Sequence, residues 1–367
     1  MSSTSPLHPD STSTMTAREA GAGPGGVEPT TEARAAAATM LRMIWGTHVS
    51  RALYAAAELG VADRLADGPV SCAELARDTL ADEASLYRVL RLLAGLGVFA
   101  EVPPRSFALT ALGDRLRSDA PASMRSWALM FGSAAFSQPF EHILHAVRTG
   151  QPGFDAAHGI PWLDFLAQHP ADAAAFDAAM LERTAAFAPS VAAGYDFSDI
   201  RTVADIGGGS GVLLATILRR HPHLQGTLFE LPAVAAGANK VLAAAGVTDR
   251  CEVVAGDFFH DMPARVDCYL LANVLHDWDD TTATGILASC GKAAAKHSRI
   301  LIVERLLSGD LAEAVPALLS DINMLVLTGG RERTNDEYVH IMQAAGLRLG
   351  RIRPVAFPYG IIEGLRA

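Results

Sequence analysis

Three acidic residues close successive apolar runs in the C-terminal half of this sequence, and a histidine follows the fourth run. Asp205 stands in Asp205-Ile-Gly207-Gly-Gly209-Ser-Gly211, Glu230 in Leu228-Phe-Glu-Leu231, Asp257 in Gly256-Asp-Phe-Phe259, and His276 in Leu275-His-Asp-Trp278. Glycines such as Gly207 and Gly209, placed where a strand gives way to a helix, let the backbone approach a ligand closely. A dinucleotide fingerprint needs G-x-G-x-x-G, and the third position here is Val212, which disfavours NAD. S-adenosylmethionine fits better, because its amino-acid end takes backbone partners and it has no pyrophosphate to cradle. The competing reading is an ordinary glycine turn of an α/β unit. Glu230, with Leu231 beside it, is placed to accept both ribose hydroxyls, and Asp257 to accept from an adenine amine while Phe258 supplies an apolar wall. Either acid alone would be an ordinary strand-end residue. Three in order on the C-terminal rim of one parallel sheet mark the place where ligands of this fold class bind.

His276 follows the fourth run on the same rim and, with an ordinary pKa of ~6.5, can take a proton from a phenol. An acceptor of that kind is flat and apolar. Trp162, Phe165, Phe176 and Met180 precede the glycine loop on helical segments, and Asn323 and Met324 lie on the helix after Glu304. Met and aromatic side chains grip planar rings, although the same residues also fill ordinary cores. No cluster of arginine stands among these positions, so selectivity for acidic acceptors is not expected.

The elements that must position these groups follow from length and pattern. The 367 residues exceed one ordinary domain, half of them are apolar, and 19% are charged, which suits a globular chain with a large core. A net charge of −10 is the wrong sign for a sequence-independent grip on nucleic acid or an anionic membrane, and no apolar stretch is long enough to span one. Four cysteines without metal or disulfide spacing fit a reducing cytoplasm.

Residues 1–33, rich in Ser, Thr, Gly and Pro, read as a disordered tail. Residues 34–120 read as amphipathic helices followed by a winged helix: Ser71-x-x-Glu74 is a capping box, Asp82 caps the next helix, and short β-runs flank Pro103 and Pro104. Acidic residues offset Arg77, Arg88 and Arg91 there, so packing rather than DNA contact is the expected role. The apolar face of the helices between Arg34 and Leu65 wants a partner. Residues 121–195 read as a helical linker that also supplies the pocket. Residues 196–367 alternate strands and helices (Thr202–Ile206, Thr227–Leu231, Cys251–Ala255, Asp267–Asn273, Arg299–Glu304) and so form a parallel α/β sheet, closed by strands at Leu347–Val355 and Tyr359–Arg366.

Over residues 35–367 the chain resembles the small-molecule O-methyltransferases that depend on S-adenosylmethionine, a group holding plant caffeate-type enzymes and bacterial enzymes that tailor aromatic polyketides. The resemblance rests on six motifs: those at residues 205–211, 256–259 and 275–278 above, with Phe229-Glu-Leu-Pro232, Val303-Glu304 and Gly329-Gly-Arg-Glu-Arg-Thr334. It implies an α/β Rossmann-like methyltransferase domain behind a mostly helical winged-helix dimerisation domain, hence a homodimer, with an aromatic acceptor held between the domains. It further implies that His276 is the general base, that Glu304 orients it or holds the acceptor, that Glu332 is a second flanking acid, and that Asp277 and Trp278 lie beside the adenosine. For Glu332 a salt bridge to Arg331 or Arg333 is the alternative, and Asp321 reads as structural. At Ala272, four residues before His276, many members carry a polar or basic residue, so no side-chain hydrogen bond to the cofactor arises there. The alternatives kept are a member of the same fold that hydroxylates, decarboxylates or rearranges its substrate, and a winged-helix regulator.

Overall fold

A computed structural model gives the fold of residues 30–307 and 309–366. Its large sheet contains Thr202–Ile206 (β1), Gln225–Glu230 (β2), Cys251–Ala255 (β3), Cys268–Ala272 (β4), Arg299–Leu307 (β5), Leu347–Pro354 (β6) and Tyr359–Arg366 (β7). They lie in the order β3-β2-β1-β4-β5-β7-β6, with β1 to β5 parallel, β7 antiparallel to β5 and β6 antiparallel to β7. A two-residue strand, Arg333–Thr334, adds to the end of β5. Parallel strands are buried on both faces, and the period of two sorts their side chains. In β5, Leu301 and Val303 enter one core with the helix Val212–Arg220, while Ile300 and Ile302 enter the other with the helices Asp280–Ala293 and Asn335–Ala344. The order reverses between β1 and β4, which opens a crevice at the carboxyl ends of those strands.

Upstream, Ser71 and Glu74 form the expected capping box on Cys72–Thr79, Asp82 caps Glu83–Gly95, and Phe99–Val102 pairs antiparallel with Ser106–Leu109. A third short strand, Val70–Ser71, completes this small sheet. Leu75, Leu90, Leu93, Phe99 and Phe107 fill a core of their own beneath it. The helix Pro170–Gly194 is more than a linker. Phe187 and Val191 on its C-terminal half belong to the core under the large sheet, whereas Phe176 and Met180 on its N-terminal half pack with Trp127, Met130 and Phe136.

Of the described residues, 30–47 form a unit distinct from those that follow from His48. Residues 1–29 of the expected tail lie outside the described residues. The tail does not reach residue 33: a helix spans Thr31–Ile44, begun by Thr30, whose Oγ1 accepts from Ala33 N–H at 3.2 Å. Its Met40, Leu41, Met43 and Ile44, with Trp45 following, are exposed. No helix among the described residues is long and apolar enough to cross a membrane.

Candidate active site

After β4 the chain makes a left-handed step at Asn273 (φ +53°) and a single 3₁₀ turn over Leu275–Asp277, which carries His276. Glu304 holds that turn from the neighbouring strand. Its Oε1 accepts from the backbone N–H groups of Val274 (3.0 Å), Leu275 (2.9 Å) and His276 (3.4 Å), while its Oε2 lies 2.9 Å from His276 Nδ1. Glu332 approaches the same nitrogen at 3.4 Å. It does not pair with Arg331 or Arg333: its Oε1 meets Ser320 Oγ at 2.7 Å and Arg305 Nη1 at 3.5 Å. Asp321 accepts from the Glu332 backbone N–H at 2.8 Å, a structural contact. All three of His276, Glu304 and Glu332 are at most 2% exposed.

The loop carrying Glu332 is fixed to the histidine turn. A Cβ on Gly330 would stand 2.0 Å from the His276 carbonyl, so only glycine permits this approach. Arg331 N–H donates to that carbonyl at 2.8 Å. Arg333, fully buried, donates to Leu275 O (2.9 Å), Trp278 O (2.8 Å) and Asp280 (2.9 Å).

Burial disfavours a charged imidazole, but Glu304, Glu332 and Asp277 outweigh it and raise the His276 pKa to about 10. For Glu332 burial acts upward, yet His276, Arg305 and the Ser320 hydroxyl bring its pKa down to about 2. With both carboxylates on the Nδ1 side, Nε2 is the nitrogen free for chemistry. The nearest acid to it is Asp277 at 3.7 Å, whose own pKa burial pushes up to about 6 against the pull of His276 and Arg183.

On the cofactor side, Gly207 (φ +66°) and Gly209 (φ +57°) adopt conformations natural to glycine, and a Cβ on Gly208 would stand 2.4 Å from the Leu228 side chain and 2.6 Å from the Asp205 carboxylate. Glu230 braces the loop by accepting from Gly209 N–H (2.8 Å) and Leu231 N–H (2.7 Å), which leaves lone pairs on both oxygens for a ligand. Asp205 is 1% exposed and neither of its oxygens has a hydrogen-bond partner; burial, then the Glu230 charge, raises its pKa to about 7. Asp257 accepts from Phe259 N–H (2.9 Å) and lies 3.0 Å from His260 Nδ1. Phe258, Phe259 and Trp278 form an aromatic group beside it, with Phe259 and Trp278 edge to face at 4.9 Å; Phe259 was not singled out from sequence. An orphaned carboxyl, a braced glycine cradle and this aromatic wall fit a ligand with an ammonium, a ribose and a purine.

A cavity opens on the His276 side, lined by Trp162, Phe176, Met180, Asn323 and Met324 from the sequence reading. Phe165 is elsewhere, stacked on His169 at 3.8 Å and edge-on to Phe154 within the helical core. Asp277 lines this cavity, whereas Trp278 packs with the aromatic group of the cofactor rim. Sequence reasoning missed Ser320 and Thr328, and above all Arg183. No cluster of arginines stands in this wall, but the single Arg183 was outside the positions considered. The signal was present: residues 176, 180 and 183 fall on one helical face.

Comparison with known proteins gives a consistent picture. A family model described as the O-methyltransferase domain matches residues 140–348, and one described as the O-methyltransferase dimerisation domain matches residues 41–119. The chain is 43% identical to a phenazine O-methyltransferase, PhzM, of Lysobacter antibioticus over 88% of this chain and 94% of that protein. The structure of the mitomycin 7-O-methyltransferase MmcR superposes with a TM-score of 0.87 at 39% identity, covering 92% of this chain and 100% of that one. The O-methyltransferase NcsB1 of neocarzinostatin biosynthesis, solved with S-adenosylmethionine and 2-hydroxy-5-methyl naphthoic acid, superposes with a TM-score of 0.76 at 34% identity, covering 87% and 96%.

Proposed function

Because the chain belongs to the O-methyltransferase family, we propose that it transfers a methyl group from S-adenosylmethionine to a hydroxyl of an aromatic natural product, with His276 as the base. One observation carries this reading: His276, flanked on its Nδ1 side by Glu304 and Glu332, lines a cavity walled by Trp162, Phe176, Met180 and Met324.

When bound, S-adenosylmethionine supplies an electrophilic methyl group on a sulfonium. Asp205, Gly207, Gly209, Glu230, Leu231, Asp257 and Phe258, with Asp277 and Trp278 at the junction, would hold it. Charge disappears in such a transfer, so the protein's work is to exclude water, align the reacting atoms and remove a proton. The aromatic and Met walls do the first two. The acceptor hydroxyl gives its proton to His276 Nε2, and the resulting imidazolium is stabilised by Glu304 and Glu332 across Nδ1. Glu304 also fixes the turn through three backbone N–H groups, so it positions the base as well as balancing its charge.

The cofactor assignment is tested by calorimetric titration. Glu230→Ala should bind S-adenosylmethionine about 1.5–3 kcal/mol more weakly, the size of charge-assisted hydrogen bonds. Unchanged affinity, or a preference for NAD, would overturn it.

A further inference from the structure

We propose that Arg183 is an acceptor-binding residue that pairs with a carboxylate on the substrate, so that the preferred acceptors are hydroxylated aromatic acids rather than neutral phenols. This rests on the methyl-transfer reading above and names its substrate class.

Three observations carry the inference. First, among the described residues Arg183 is the only arginine or lysine lining the cavity that His276 also lines, and it stands one helical turn beyond Met180 on the same wall. Second, although the charges of Asp277 and Glu304 reach it, no group is bonded to it. Its Nε is shielded from solvent without an acceptor, and among the described residues it makes no hydrogen bond or ion pair. The structural arginines nearby behave differently: Arg333 places its three nitrogens on Asp280 and three carbonyls, and Arg305 meets Glu332. Arg183 is partly buried, and withdrawing an unbonded cation from water is costly; here burial and then Arg305 lower its pKa, while Tyr359, Asp277 and Glu304 act the other way. A guanidinium kept in that state is ready for a ligand anion, and its planar fork matches a carboxylate in two parallel hydrogen bonds. Third, of the residues assigned to the cofactor only Asp277, an acid at the junction, lines this cavity, while Gly207, Gly209, Glu230 and Asp257 do not, so the wall carrying Arg183 belongs mainly to the acceptor. A carboxylate fixed at Arg183 leaves a hydroxyl of the same ring to be presented to His276 Nε2.

The test uses 3-hydroxy-2-naphthoate and its neutral amide, which differ at the group Arg183 would hold. Binding is measured by calorimetry with saturating S-adenosylhomocysteine, so no turnover is needed. Wild type should bind the acid about 10- to 100-fold more tightly than the amide, the ratio should collapse in Arg183→Met, and Arg183→Lys should keep part of it. The wild-type ratio is informative even if Arg183→Met fails to fold. No preference for the acid in wild type, an equal loss for acid and amide in Arg183→Met, or a loss confined to S-adenosylhomocysteine would each overturn the proposal. Transfer of labelled methyl by wild type, run in parallel, separates the two readings. Transfer without acid preference removes only the Arg183 assignment. Binding of the acid through Arg183 without transfer to any hydroxyarene removes only methyl transfer.

Discussion

His276 between two carboxylates is stabilised as the imidazolium, and a base must first be neutral. With its pKa raised to about 10, kcat/KM for a neutral phenol should still climb between pH 7 and 9. Glu304→Gln takes away one of the two charges, so the rising limb should move to lower pH even as the maximal rate falls. A pH–rate series on both proteins checks this, and coincident limbs would contradict it. The same groups link stability to pH. The raised pKa of His276 stabilises the fold fully below its ordinary ~6.5 and loses that contribution as pH rises through about 10; the depressed pKa of Glu332 contributes above its ordinary value of ~4.3 and is lost as pH falls through about 2. Asp205 acts oppositely. Its carboxyl, raised to about 7 and without hydrogen-bond partners, costs nothing below its ordinary ~3.9 and on the order of 4 kcal/mol at pH 8. Asp205→Asn should therefore raise the melting temperature of the ligand-free protein at pH 8, leave it unchanged near pH 3.5, and weaken cofactor binding. A lower melting temperature at pH 8 would show that the ionised carboxylate is welcome in the fold.

At the scale of elements, the site depends on the contact between the 3₁₀ turn of His276 and the loop at residues 329–334. Gly330→Ala would drive a Cβ into the His276 carbonyl and separate Glu332 from the imidazole. Overpacking of this kind costs about 1–3 kcal/mol, and methyl transfer should fall with it. The check is thermal unfolding beside a turnover assay; an active variant of normal stability would mean that the loop moves freely. These elements were unevenly legible in the sequence. Strand-end acids and the glycine loop declare themselves, because an apolar strand run followed by a helix start fixes where residues 205 and 230 must stand, and Asp257 follows two residues past the end of its own run. Glu332 did not, since on a loop its neighbours Arg331 and Arg333 were equally plausible partners. What decided between them was tertiary: Arg333 is spent on the turn's carbonyls and Arg331 on Glu337 and Asp280, which leaves Glu332 for the histidine. Phe165 illustrates the converse failure. It shares a segment with Trp162, but helical phase turns it into the core, and an aromatic residue's type alone carries no direction. Arg183 was passed over because an arginine after Glu182 reads as solvated surface until the fold places it in the lining of the cavity beside His276.

At the scale of the molecule, one helix ties the pieces together, since Pro170–Gly194 packs under the large sheet at one end and walls the acceptor cavity at the other. The first helix, Thr31–Ile44, leaves Met40, Leu41, Met43 and Ile44 exposed, and the match to a dimerisation domain begins at residue 41. An apolar face of that kind, on a domain of that family, fits a second copy of the chain. Light scattering should return a dimer mass for the whole chain, and Met43→Asp with Ile44→Asp should shift it toward monomer. A monomer that persists at high concentration would refute the pairing.

The central claim is that His276 removes the proton in a methyl transfer to an aromatic hydroxyl. It is tested most directly by single-turnover transfer of labelled methyl from S-adenosylmethionine to a panel of hydroxyarenes, comparing wild type with His276→Ala at equal cofactor occupancy. Wild type should label at least one ring hydroxyl, and His276→Ala should be slower by about 10²–10⁴-fold, the usual yield of a positioned base. Normal turnover in His276→Ala, or label found only on amines or aliphatic acids, would contradict the account.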